Sequence, residues 1–126
     1  MRELVASFRR TVGRSDAPVF IDQEGGRVQR IGPPHWRTYP SARAFGKLYG
    51  INPGLALRSA RSVGRLMAEE LFDLDVTASC LPVLDAPQLG AHDVIGNRAY
   101  DTRPERIMAL ARSHLLFTPS VLDISQ

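Results

Sequence analysis

The chain has 126 residues, 44% of them hydrophobic and 23% charged, enough for one modest core and too few for two. Its formal net charge of +3 is carried almost wholly by arginines interleaved with carboxylates, with Lys47 as the sole lysine, which argues against a basic nucleic-acid-binding stripe. The single cysteine, Cys80, excludes an internal disulfide framework, and no stretch approaches the ~18 apolar residues of a membrane span.

In chain order, Leu4, Val5, Phe8 and Val12 recur at helical spacing within Arg2 to Arg14, and Gly13 with Ser15-Asp16-Ala17-Pro18 ends that helix. Pro18 to Ile21 reads as a buried strand. It stops abruptly at Asp22-Gln23-Glu24-Gly25-Gly26-Arg27-Val28-Gln29-Arg30. Ile31 to Asn52, rich in proline and glycine, reads as a long connection. Asn52-Pro53 is a sound helix start, an N-cap followed by proline at the first helical position. Ala56, Ala60, Val63, Met67 and Leu71 share one face of that helix, which closes near Phe72-Asp73. Ala78 to Leu84 reads as a second strand ending in Asp85, and Ala86 to Asp101 as a second loop. Thr102 and Glu105 have capping-box spacing around Pro104, starting a helix that includes Ile107, Leu110, Ala111 and His114.

This alternation predicts an α/β fold with parallel strands, in which ligands sit at the carboxyl ends of the strands. Asp22 stands at such an end, where a carboxylate can accept from two neighbouring hydroxyls of a ligand. Gly25 and Gly26 permit a sharp bend and close approach. Arg27 and Arg30 can orient Asp22 or Glu24, or donate to ligand oxygens. The alternative is purely structural, with Asp22 capping a turn and Glu24 pairing an arginine. Arg98, in the apolar-flanked loop Val94 to Tyr100, is placed to clamp a hydroxyl or carboxylate. Asp85 is expected to satisfy loop amides, Cys80 to be a small buried apolar residue, and His114 to be packing or surface. His35 and His92 fall in loops. No histidine pair has metal-ligand spacing, so no metal site is expected.

The Asp22 to Arg30 run, with Cys80-Leu81-Pro82-Val83-Leu84-Asp85 and Val94-Ile95-Gly96-Asn97-Arg98-Ala99-Tyr100, resembles the bacterial β-N-acetylhexosaminidases of glycoside hydrolase family 3. These are cytoplasmic enzymes that trim N-acetylglucosamine from recycled muropeptides. The resemblance covers about Met1 to Arg112 and implies the early βα units of a (β/α)8 barrel with parallel strands, domain 1–112 being a partial catalytic domain. It implies that Asp22, Arg30 and Arg98 hold the terminal N-acetylglucosamine of a saccharide or muropeptide. It implies no cofactor, no nucleic-acid or membrane partner, and a cytoplasmic location, in keeping with an N-terminus that lacks a signal-peptide core.

The departures carry equal weight. The family's Lys-His-Phe-Pro-Gly-His-Gly type motif, its histidine–aspartate acid/base pair and its late aspartate nucleophile have no counterpart here, so no catalytic residue is assigned. Residues 113–126 diverge from the family pattern, as a truncated or frame-shifted coding region would. A complete barrel takes roughly 250 residues. A partial one exposes strand edges and apolar helix faces, so self-association is expected. Two readings follow: a fragment of a retaining glycosidase that is inactive alone, or else a non-catalytic carbohydrate-binding remnant or a half-barrel that needs a complementary chain.

Overall fold

The computed structural model describes residues 1–88, 90 and 92–115. Helix α1 spans Arg2–Thr11, strand β1 Phe20–Ile21, β2 Gln23–Gly25 and β3 Val28–Gln29. Helix α2 spans Ala42–Ile51, α3 Pro53–Phe72, β4 Ala78–Ser79 and α4 Pro104–Leu115, with a 3-10 turn at Gly96–Arg98. The fold is α/β. β1 pairs in parallel with β4, Phe20 opposite Ala78 and Ile21 opposite Ser79. β2 and β3 form a short antiparallel hairpin.

Parallel pairing requires a crossover, and here α2 and α3 supply it. α3 forms as its sequence dictates: the Asn52 side chain accepts from the Leu55 amide at 3.0 Å, with Pro53 at the first turn. Ala56, Ala60, Gly64, Met67 and Leu71 are its buried face, and Val63 packs beside them. The main core joins α2, α3 and α4 through Phe45, Ala56, Ala60, Tyr100, Ile107 and Leu110. A second cluster places Val5 of α1 against Leu71 and Val76, beneath β1. Only Val5 of the α1 apolar stripe is buried, whereas Leu4, Phe8 and Val12 remain exposed.

The stretch 31–52 differs from its sequence reading, since its second half is α2. Gly46 and Gly50 read as breakers, but Gly46 is where α2 meets the chain closely. A Cβ there would collide with the Tyr100 carbonyl, so the glycine buys a helix contact that a larger residue forbids. Gly64 does the same against the His114 carbonyl. The second strand is also shorter than Ala78 to Leu84, because its ladder covers only Ala78 and Ser79. Pro82 has no amide hydrogen to extend it.

Just ahead of α4 the group that gathers the free backbone amides is Asp101, not Thr102. The Asp101 carboxylate accepts from the Thr102 and Arg103 amides at 2.8 and 3.1 Å. Burial opposes its charge, but Arg103 and these amides prevail and hold its pKa down to about 2. His114 is core. It packs edge-on against Phe45 and Tyr100, and its Nδ1 lies 2.9 Å from the Tyr100 hydroxyl. Most of the 113–126 tail lies outside the described residues.

Candidate active site

The hairpin is held by side chains where the ladder is too short to hold it. Gln23 is fully buried; its Oε1 accepts from the Arg30 and Ile31 amides at 2.9 and 3.0 Å, and its Nε2 donates to the Ile31 carbonyl at 2.8 Å. The Ser79 hydroxyl donates to the Gln23 carbonyl at 3.0 Å, tying the hairpin to β4. Gln29 binds the Arg37 carbonyl and the Tyr39 amide, at 2.8 and 2.9 Å. Tyr39 in turn donates to Glu70 of α3 at 2.6 Å, and Arg37 pairs with the same carboxylate at 2.9 Å. The tight turn has positive φ at Gly25 (90°) and Gly26 (58°). A Cβ on Gly26 would sit 2.7 Å from that of Ser41. Both glycines are therefore required by backbone geometry and by crowding.

With Gln23 pinned inward, Asp22 and Glu24 fall on the opposite side of the extended segment, since successive residues alternate. Glu24 is 7% exposed and receives Arg98 in a two-pronged ion pair, Nε to Oε2 at 2.9 Å and Nη2 to Oε1 at 2.7 Å. That pairing raises the Arg98 pKa; burial opposes it, and the charges of Asp85 and Asp22 reinforce it. It leaves the Nη1 edge of Arg98 for a further acceptor. Arg30 approaches Asp22 at 3.4 Å, a half-exposed contact at the rim. The Cys80 thiol, then Arg30, hold the Asp22 carboxyl below the usual carboxylate range, with Arg98 contributing at longer reach.

The three residues expected to meet a ligand thus converge on one rim. Asp22 and Arg30 pair directly, and Arg98 stands beside them on Glu24. Two expectations need correction. Arg27 does not orient Asp22 or Glu24; it reaches across to the second loop and pairs with Asp93 at 3.3 Å. Cys80 is exposed, not buried, because it lies past the end of the β1–β4 ladder beside Asp22. Its thiol pKa is raised by the hydrogen bond to Asp22, then by burial and neighbouring carboxylates, so it is a poor nucleophile. Asp85 is exposed near Arg98, and His35 and His92 are exposed in loops. Among the described residues no His, Cys, Asp and Glu cluster is arranged to hold a metal ion.

Sequence reasoning left the partner of Arg98 open. The spacing Asp22-x-Glu24 after an apolar strand carried the signal that both acids share a face. The internal glutamine between them carried none.

Known proteins resemble this chain over most of its length. Residues 2–116 match the N terminal domain of glycosyl hydrolase family 3. A beta-hexosaminidase of Aromatoleum aromaticum is 40% identical over 95 residues, which is 75% of this chain and 26% of that protein. A beta-hexosaminidase of Xanthomonas campestris pv. campestris is 34% identical over 113 residues, 90% of this chain and 33% of that protein. The crystal structure of NagZ from Neisseria gonorrhoeae in complex with N-trifluoroacetyl-D-glucosamine superposes with a TM-score of 0.82 at 31% identity, covering 93% of this chain and 34% of that one. The chain therefore spans about a quarter to a third of the length of these relatives. With its parallel β1–β4 pair, its crossover helices and a family match over nearly all the described residues, the chain belongs to glycosyl hydrolase family 3, as early βα units of the barrel.

Proposed function

We propose that this chain contributes the sugar-holding side of a β-N-acetylhexosaminidase site, acting on a terminal β-linked N-acetylglucosamine. The single observation behind the reading is the convergence of Asp22, Arg30 and the Glu24-anchored Arg98 on one rim. Asp22, kept ionised to lower pH than an ordinary carboxylate, accepts from two vicinal hydroxyls. Arg98 offers its free edge as a donor, and Arg30, half-exposed beside Asp22, is a second donor. Hydrolysis with retention requires a carboxylate nucleophile and a general acid/base. Neither role falls to these three residues, and the proposal extends to this chain alone binding the sugar without turning it over. Muropeptide recycling in the cytoplasm is the proposed setting. The sugar reading itself is supported by the beta-hexosaminidases among the relatives and by the glucosamine derivative carried by the similar NagZ structure.

The test is a titration of the chain with N-acetylglucosamine, alongside a chromogenic N-acetylglucosaminide. Asp22→Ala and Arg98→Met are each expected to weaken binding about tenfold or more, the usual effect of losing charged hydrogen bonds. Binding that ignores both substitutions refutes the site. Unaided turnover that Asp22→Ala abolishes refutes the claim of binding without catalysis.

A further inference from the structure

The hairpin turn does more than bend. Arg27 is the residue after the two positive-φ glycines, and the turn aims it at the second loop. Its Nη2 faces three consecutive carbonyls, of Asp93, Val94 and Ile95, at 2.6, 2.8 and 3.1 Å. Its Nη1 meets the Asp93 carboxylate at 3.3 Å. One nitrogen with two hydrogens facing three acceptors must share a bond, so a half-exposed guanidinium bridges three carbonyl dipoles at the surface. Next in the chain is Gly96, at φ 47°, where an added Cβ would meet the Asp93 carboxylate and lie 3.0 Å from Arg27 Nη2. Arg43 of α2 closes the other side, donating to the Gly96 carbonyl at 3.3 Å. The 3-10 turn that delivers Arg98 begins at that glycine.

We infer that Arg27 is a positioning residue: its guanidinium fixes the 93–95 loop against the hairpin, and thereby sets Arg98 on Glu24, facing Asp22. The inference rests on the saccharide reading for its functional consequence, though not for its structural one. Its guanidinium is engaged by the loop. It acts by making the loop and the hairpin one body, so that Asp22 and Arg98, which come from different segments, keep a fixed separation. A lysine keeps a cation there but loses the fork that spans carbonyls and carboxylate. A methionine keeps only the stem.

The experiment compares the parent chain with Arg27→Lys, Arg27→Met and Arg98→Met. It uses backbone hydrogen exchange followed by mass spectrometry and N-acetylglucosamine titration. Arg27→Met is expected to speed exchange across 93–98 by about tenfold, as loss of a charged clamp implies, with α3 peptides unchanged. Sugar affinity should fall by a similar factor, and Arg27→Lys should recover much of both. Unchanged exchange over 93–98, or an equal rise everywhere, overturns the clamp. Loosened exchange with undiminished affinity, where Arg98→Met does weaken binding, overturns positioning and leaves the saccharide reading standing. If the parent binds no N-acetylglucosamine, the saccharide reading falls with the functional half of the inference, and exchange alone decides the structural half.

Discussion

Removing the charge of Glu24 should cost more than any other conservative change at the site. The carboxylate is 5% exposed at its side chain and Arg98 27%, with contacts of 2.7 and 2.9 Å in a parallel fork. Glu24→Gln keeps the volume and deletes the charge, leaving a largely enclosed guanidinium without its counter-ion. Breaking a fully buried pair this way costs about 3–5 kcal/mol, and the remaining access of solvent to Arg98 lowers the figure to about 2–3 kcal/mol. For a chain of this size that corresponds to roughly a 10 °C fall in Tm. Urea unfolding followed by circular dichroism should be run on Glu24→Gln, Arg98→Met and the double variant. The double variant should cost less than the two singles together by about 2 kcal/mol, because it leaves no unpaired charge. A coupling below about 0.5 kcal/mol would mean that the pair is solvated and organises nothing.

Burial of His114 lowers its pKa from 6.5 to about 4. The unfolded chain therefore takes up a proton first, and stability is fully present above 6.5, lost as pH falls, and gone from this source below about 4. The loss is on the order of 3 kcal/mol, visible as a falling Tm over that window and absent from that window in His114→Phe. Gly46→Ala should destabilise by about 1–3 kcal/mol, since its methyl meets the Tyr100 backbone carbonyl rather than a flexible side chain. A variant within 0.5 kcal/mol of the parent in urea titration would show that α2 shifts freely. The exposed Phe20, Leu84 and Met108 predict self-association that light scattering should detect as concentration-dependent mass.

The long helix was legible because every local signal agreed: the Asn52 cap, Pro53, and alanines recurring on one face. α2 was not, because Gly46 and Gly50 look like punctuation until the Tyr100 carbonyl is known to press on one of them. Strand β4 looked longer than it is because an apolar run up to Leu84 says nothing about which backbone amides find partners. At the site, Asp22 announced itself by ending an apolar strand. Which arginine would meet which acid could not be read, since the pairings of Arg27 and Arg98 join positions 66 and 74 residues apart. Arg27 and Arg30 were both in reach of the hairpin acids along the chain, yet only Arg30 turned back. Cys80 was misjudged for the same reason: exposure is set by where the ladder stops.

The Glu24–Arg98 fork bridges 74 residues. Bringing the ends of such a flexible segment together costs about 4 kcal/mol in loop-closure entropy, more than the fork returns. It cannot nucleate anything. The helical layer and the parallel pair must already have drawn the two segments together, so the recognition rim forms late. A preparation with full helical signal can therefore still be blind to sugar, which makes far-ultraviolet ellipticity a poor proxy for competence in this molecule.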